Sequence, residues 1–197
     1  DPPGYSIELV NPALDNDLGG SWRASSPEYV SPPTTIIQEG AEWRYFKGTK
    51  EASEPNTAAW QMIGFDDTSW PSGNLVIGYG EPVIPAPGGF ITTELADMRG
   101  KYSSVYLRKT FDVDDPSTVV SLALGVVYDD GFNAYINGRY VEGDNVSDEQ
   151  LPYYRTAGEA LENKEWRTFN LSGPRDYLVK GKNVLAVHLF NSSLGDS

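Results

Sequence analysis

Asp129 and Asp130 stand side by side directly before Gly131, and Asp144 lies beside Asn145 beyond the next turn. Calcium (Ca2+) takes 6–8 oxygen ligands, and two adjacent carboxylates supply up to four of them. Asp129, Asp130 and Asp144 are therefore the candidate metal ligands of this chain. The same residues admit a second reading, in which an aspartate side chain caps the backbone of its own turn. Asp66 and Asp67, set between Phe65 and Trp70, pose the same choice between a ligand and an Asx-turn.

Sugar recognition needs an aromatic face for C–H stacking and planar polar groups for paired hydroxyls. Trp60, Tyr79, Phe90, Tyr102, Tyr153, Tyr154 and Trp166 fall in segments that read as loops or strand ends. Arg139, Asn145 and Arg155 are the polar residues nearest to them in the chain. The candidate carbohydrate-binding set is Trp60, Tyr79, Tyr102, Arg139, Asn145, Tyr153, Tyr154 and Trp166. Phe65 and Trp70 read instead as core plugs.

Catalysis has little to work with. The single histidine, His188, lies inside an apolar strand, where a structural role is the simpler reading. One histidine and no cysteine rule out a His-rich or thiolate zinc site. No Gly-x-Ser-x-Gly elbow is present. A glycosidase pair of carboxylates is open on composition, but nothing in the spacing selects one.

The whole chain narrows the partners. It has 197 residues and a formal net charge of -13, with the acid spread along its length. Such a surface repels phosphate backbones, which argues against nucleic acid. It is compatible with neutral sugars and calcium, or serves solubility alone. No disulfide is possible, and no apolar run approaches the roughly 20 residues of a membrane span. The chain opens at Asp1-Pro2-Pro3-Gly4 without a signal peptide and reads as an excised piece of a longer protein. Asn-x-Ser sequons occur at Asn145, Asn170 and Asn191, at a frequency chance explains.

The elements that must position these residues are strands. Phe132, Ala134 and Ile136 alternate with Asn133 and Tyr135, and Asn137-Gly138 supplies the two positive-φ residues of a tight hairpin turn. Trp43–Phe46, Val76–Gly80, Ser104–Val113, Trp166–Leu171 and Val184–Phe190 read as further strands, and Thr57–Met62 as a helical turn. Val119–Val127 is apolar almost throughout, as a central sandwich strand would be. Residues 81–100, rich in Pro and Gly, read as a long loop of the kind that is functional or mobile, and 142–160, with Tyr153-Tyr154, as another long loop. Residues 1–38 read as one strand and a linker, the tail of a preceding domain.

The order of these pieces is specific in combination. It runs from Trp43 through Phe65–Trp70, Gly78-Tyr79-Gly80, Tyr106–Phe111, Asp129-Asp130-Gly131 and Ile136-Asn137-Gly138 to Leu178–Val187. This resembles the galactose-binding-domain-like jelly roll, found as the sugar-binding domain of β-galactosidases and glucuronidases and in multidomain bacterial secreted proteins. Ile7–Pro12 with Ser21–Ser25 more loosely resembles the closing strand of a lamin-tail-like domain. The Asp-Asp-Gly segment also resembles a second sandwich family, some of whose members hold calcium against a sugar's hydroxyls.

The expectation is thus an all-β protein: an antiparallel β-sandwich of jelly-roll type over 39–197. The resemblance implies a non-catalytic carbohydrate-binding module of a larger secreted or surface protein of bacterial type. Its partners would be a polysaccharide or glycan and neighbouring domains of the same polypeptide. A structural or adhesive spacer is the alternative, and a polysaccharide hydrolase or lyase domain the third reading.

Overall fold

The computed structural model describes residues 33–80, 90–161 and 165–195, and the backbone of Ile7–Leu9 and Trp22–Ala24. The expected Pro- and Gly-rich loop over 81–89 and most of residues 1–32, expected as a strand and linker, lie outside the described residues. The chain divides into two compact units, 1–35 and 36–197. In the first, β1 (Ile7–Leu9) and β2 (Trp22–Ala24) pair antiparallel, with Ile7 opposite Ala24.

The second unit is all-β, and no α-helix occurs among its described residues. Its strands are β3 (Glu42–Lys47), β4 (Ser72–Asn74), β5 (Ile77–Gly78), β6 (Thr93–Glu94), β7 (Ser104–Val113) and β8 (Leu122–Val126). They continue with β9 (Gly131–Ile136), β10 (Arg139–Asp144), β11 (Arg167–Leu171) and β12 (Gly181–Phe190). Single 3-10 turns occur at Ala59–Gln61, Pro116–Thr118 and Pro174–Asp176. The main sheet has the order β10-β9-β12-β7-β3-β4, and every neighbouring pair in it is antiparallel. A second antiparallel sheet pairs β11 with β8, and β5 and β6 form a short parallel pair. The expected antiparallel β-sandwich is the fold observed.

Alternation sorts the main sheet into two faces. Val105, Leu107, Phe111, Phe132, Ala134, Ile136, Leu185 and Val187 point to one side. There they pack with Leu122, Leu124 and Val126 of β8 and with Phe169 and Leu171 of β11. This is the inter-sheet core. The opposite face carries Tyr106, Tyr135 and Ala186, and it is not left to solvent. Segment 48–71 folds over it and inserts Trp60 and Trp70, with Phe65 packed alongside. Phe65 and Trp70 are thus the core plugs expected. Because both faces are covered, all six residues of β9 are buried.

The hairpin from β9 to β10 turns at Asn137 (φ 54°) and Gly138 (φ 88°), as the Asn-Gly pair requires. Ser104–Val113 forms a strand over its whole predicted length. One expectation fails. Val119–Val127 does not become a central strand: β8 lies in the smaller sheet, its residues alternately half-buried and exposed. Its exposed positions are Ala123 and Gly125, small residues that read as apolar in the sequence but demand no burial. The central strands are β9, β12 and β7 instead.

Candidate functional site

Most of the candidate residues gather at one end of the main sheet. Phe190 at the end of β12 lies opposite both Ser104, which opens β7, and Gly131, which opens β9. Tyr102, Asp129, Asp130, Asp144, Asn145 and Asn191 therefore flank the same rim. Loop 145–161 is stitched to it. The hydroxyls of Ser103 and Ser104 donate to the carbonyls of Arg155 (2.8 Å) and Tyr153 (2.6 Å). The backbone N–H of Ala157 donates to Asn191 O at 2.9 Å, and that of Gly158 to Asn145 O at 2.8 Å. Gly131 is required where this loop crosses, because a Cβ there would stand 2.9 Å from Asn145 O.

The carboxylates serve this stitching. Asp130 is buried, and its two oxygens accept from the backbone N–H of Leu161 and of Ser192, each at 2.5 Å. Asp144 Oδ1 accepts from Asn145 N at 3.0 Å. Asp144 Oδ2 binds Arg167 Nη1 and the Tyr128 hydroxyl, which joins β10 to β11. Burial first, and the hydrogen bond to Asp144 second, push the Tyr128 phenol up to about 12. Asp130 and Asp144 thus already serve N–H and guanidinium donors. Among the described residues, no three His, Cys, Asp or Glu side chains converge to hold a metal ion.

Asn145, held at φ 54°, uses its amide internally as well. Its Nδ2 donates to Glu159 O at 2.7 Å and Asp130 O at 3.2 Å, and its Oδ1 accepts from Glu159 N at 3.1 Å.

Two further candidates are buried, and a third lies away from the rim. Trp60 is 2 % exposed and packs edge-on to Tyr106 and Tyr135, so it offers no stacking face. Tyr102 is 3 % exposed and donates to Asp97, which in turn pairs with Lys47 at 2.7 Å. Arg139 opens β10 opposite Ile136, at the other end of the sheet from the rim.

Four aromatic candidates remain accessible. Tyr154 is 64 % exposed and stands edge-on to Tyr153, with ring centroids 5.3 Å apart. Tyr153 is anchored in the aromatic cluster beneath segment 48–71. Trp166 is 45 % exposed and lies over Gly125. Tyr79 is half-buried, with Arg99 above its ring and Asn191 Nδ2 at 3.4 Å from its hydroxyl.

His188 is buried, stacked on Tyr106 with centroids 3.8 Å apart, and burial holds its imidazole well below the usual value. The residues that sequence reasoning missed are cationic. A cleft of about 190 Å³ opens beside β3 and β7, away from the rim, lined by Glu42, Arg44, Asp67, Ser72, Arg108 and Lys109, among others. The signal was present in β7: Arg108 occupies a position whose parity points it into the covered face.

No family model and no curated protein matches the chain. Solved structures do. A calcium-binding mutant of Bacteroides uniformis beta-glucuronidase 2 is similar at 18% identity and a TM-score of 0.47, over 83% of this chain and 15% of that one. A glycosyl hydrolase family 2 member from Bacteroides cellulosilyticus gives 16% and 0.46, over 81% and 18%. Lactobacillus rhamnosus beta-glucuronidase gives 14% and 0.45, over 82% and 22%. The chain therefore spans less than a quarter of the length of these enzymes, and their activities are not carried over to it.

Proposed function

We propose that this chain is a non-catalytic carbohydrate-binding module of a larger secreted or surface protein. It would hold a polysaccharide or glycan at the rim where β7 and β9 begin and β12 ends. Tyr154 and Trp166 would each offer an exposed stacking face, and Tyr79, Tyr153 and Arg155 complete the proposed set. The observation that supports this most is the fixing of Tyr154: an exposed ring braced by Tyr153, in a loop whose neighbouring carbonyls accept from Ser103 and Ser104. A platform held before binding loses little conformational entropy on contact, which favours affinity.

The test is affinity electrophoresis of the intact chain through gels containing different polysaccharides, alongside a glycan array. Retention should occur on at least one glycan and weaken in Y154A or W166A by about 0.5–1.5 kcal/mol each. Absence of retention on every glycan would overturn the reading.

A structural spacer is the second reading. It is favoured by the consumption of Asp130, Asp144 and Asn145 in internal bonds at the same rim. Under it, Y154A and W166A leave carbohydrate retention unchanged.

A further inference from the structure

Asp130, Asp144 and Asn145 spend their polar atoms within the rim, but the outer face of the smaller sheet leaves its own polar groups open. Register and burial define that face. Leu122, Leu124, Val126, Phe169 and Leu171 pack into the inter-sheet core. Ala123, Gly125, Thr168 and Asn170 alternate with them, point away from the core and are exposed. Thr168 lies opposite Gly125, and Asn170 opposite Ala123. Trp166 belongs to the same side, because its ring stands 3.5 Å from where a Cβ on Gly125 would be. An exposed ring, a hydroxyl and an amide thus follow one another at every second residue of one strand. None of these positions carries a charge, on a chain whose net charge is -13.

Gly125 sits inside β8 without a backbone reason for it. Its ladder to β11 is unbroken, its φ is not positive, and a Cβ would make only ordinary contact with Trp166. A glycine within a strand that serves no bulge or bend marks a place where a ligand or another backbone comes close. The Thr168 hydroxyl and the Asn170 amide enter no hydrogen bond among the described residues. The face also joins the rim, since Arg167 Nη1 at the start of β11 binds Asp144 Oδ2 and the Tyr128 hydroxyl. From Trp166 to Asn170 the chain advances about 14 Å, which is longer than a single sugar ring.

We propose that the glycan site continues from the rim onto this face and takes an extended, uncharged polysaccharide along β11. Trp166 stacks on one sugar residue, and the Thr168 hydroxyl and Asn170 amide bond hydroxyls of the next ones. Ala123 and Gly125 let the ligand lie close to the backbone. A protein partner fits less well, because Trp166 is the one large apolar side chain among these positions, and interface cores are richer in such groups. The inference rests on the carbohydrate reading of the rim and adds the class, length and path of the ligand.

The experiment is affinity electrophoresis of the intact chain through gels of glucomannan, xylan and mixed-linkage β-glucan, with polygalacturonate as the acidic counterpart. A123F fills the face, N170A removes the amide, and Y154A tests the rim separately. Ala123 is exposed, so A123F should melt with the parent. Retention by a neutral gel is expected, weakened about tenfold in A123F and about two- to tenfold in N170A. Oligosaccharides of about four residues should compete with the gel, and the monosaccharide should not. Retention that is unchanged in A123F, competition by the monosaccharide equal to that of the oligosaccharide, or retention by polygalacturonate alone would overturn the extension and leave the rim reading in place. Absence of retention on every gel would overturn both. Sedimentation velocity tests the other occupant: self-association that A123F abolishes would give the face to a second copy of the chain and overturn the inference.

Discussion

Arg108 Nε donates to Asp67 Oδ2 at 2.7 Å, joining the middle of β7 to the segment that covers it. The arginine side chain is 2 % exposed and the aspartate 21 %. The guanidinium also donates to the carbonyls of Trp60 and Met62, so one buried cation gathers three points of a segment with no regular strand. Removing the anion leaves that cation uncompensated. D67A is expected to cost roughly 2–4 kcal/mol, below the range of a fully buried pair because Asp67 reaches solvent. The urea midpoint measures this, and Trp60 and Trp70 fluorescence should report early loosening of segment 48–71. An unchanged midpoint would show that the pair carries no weight.

At the far end of the sheet, Asn137 performs two tasks. It supplies a positive φ to the hairpin, and its amide ties three segments together. Nδ2 donates to Tyr177 O and to Asn183 Oδ1, each at 2.7 Å, while Oδ1 accepts from Val184 N at 2.9 Å. N137G keeps the backbone preference and loses these bonds, whereas N137A loses both. Thermal unfolding should therefore rank N137A below N137G, and both below the parent, with N137G costing about 1–3 kcal/mol. Equal stability of N137G and the parent would contradict the network.

Local signals made the strands legible. The alternation of Ser104–Val113 and the Asn137-Gly138 turn depend on neighbours in the chain, and both appear as expected. What the sequence hid is long-range. Trp60 carries the chemistry of a sugar platform, but only the folding of segment 48–71 over Tyr106 decides that its ring is buried. Asp130 reads as a metal ligand because its partners are backbone N–H groups of Leu161 and Ser192, which no side-chain pattern reveals. Arg139 joined the site by closeness in sequence, and the hairpin carried it to the opposite end. The exposure of Tyr154 was legible because a loop aromatic needs no distant partner to be exposed.

His188 makes stability depend on pH. Burial alone holds its imidazole well below its usual value of 6.5, and the groups packed on it are Tyr106, Trp60 and Phe190, with no carboxylate among them. Below about pH 6.5 the unfolded chain takes up a proton that the folded one refuses. Stability is therefore fully present above that pH and is lost as pH falls, by up to about 1.4 kcal/mol per pH unit. Between about pH 5 and 6.5, above the carboxylate range, the H188Q variant should show a flatter profile than the parent. Parallel profiles by urea denaturation would remove His188 as the cause.

Calcium provides the last test of the Asp129-Asp130 motif. Both oxygens of Asp130 accept backbone N–H groups, and charge-assisted bonds of this kind are stronger than neutral ones. An ion would compete with these donors for the charge of the Asp130 carboxylate, and a ligand that gains nothing from the folded state gives no stabilisation. Melting temperatures in millimolar calcium and in chelator should therefore coincide for the intact chain. D130N should lower both equally, because the amide nitrogen cannot accept from Leu161 or Ser192, at a cost of about 1–3 kcal/mol. A calcium-dependent rise in melting temperature that disappears in D130N would reverse the assignment and return Asp130 to the metal.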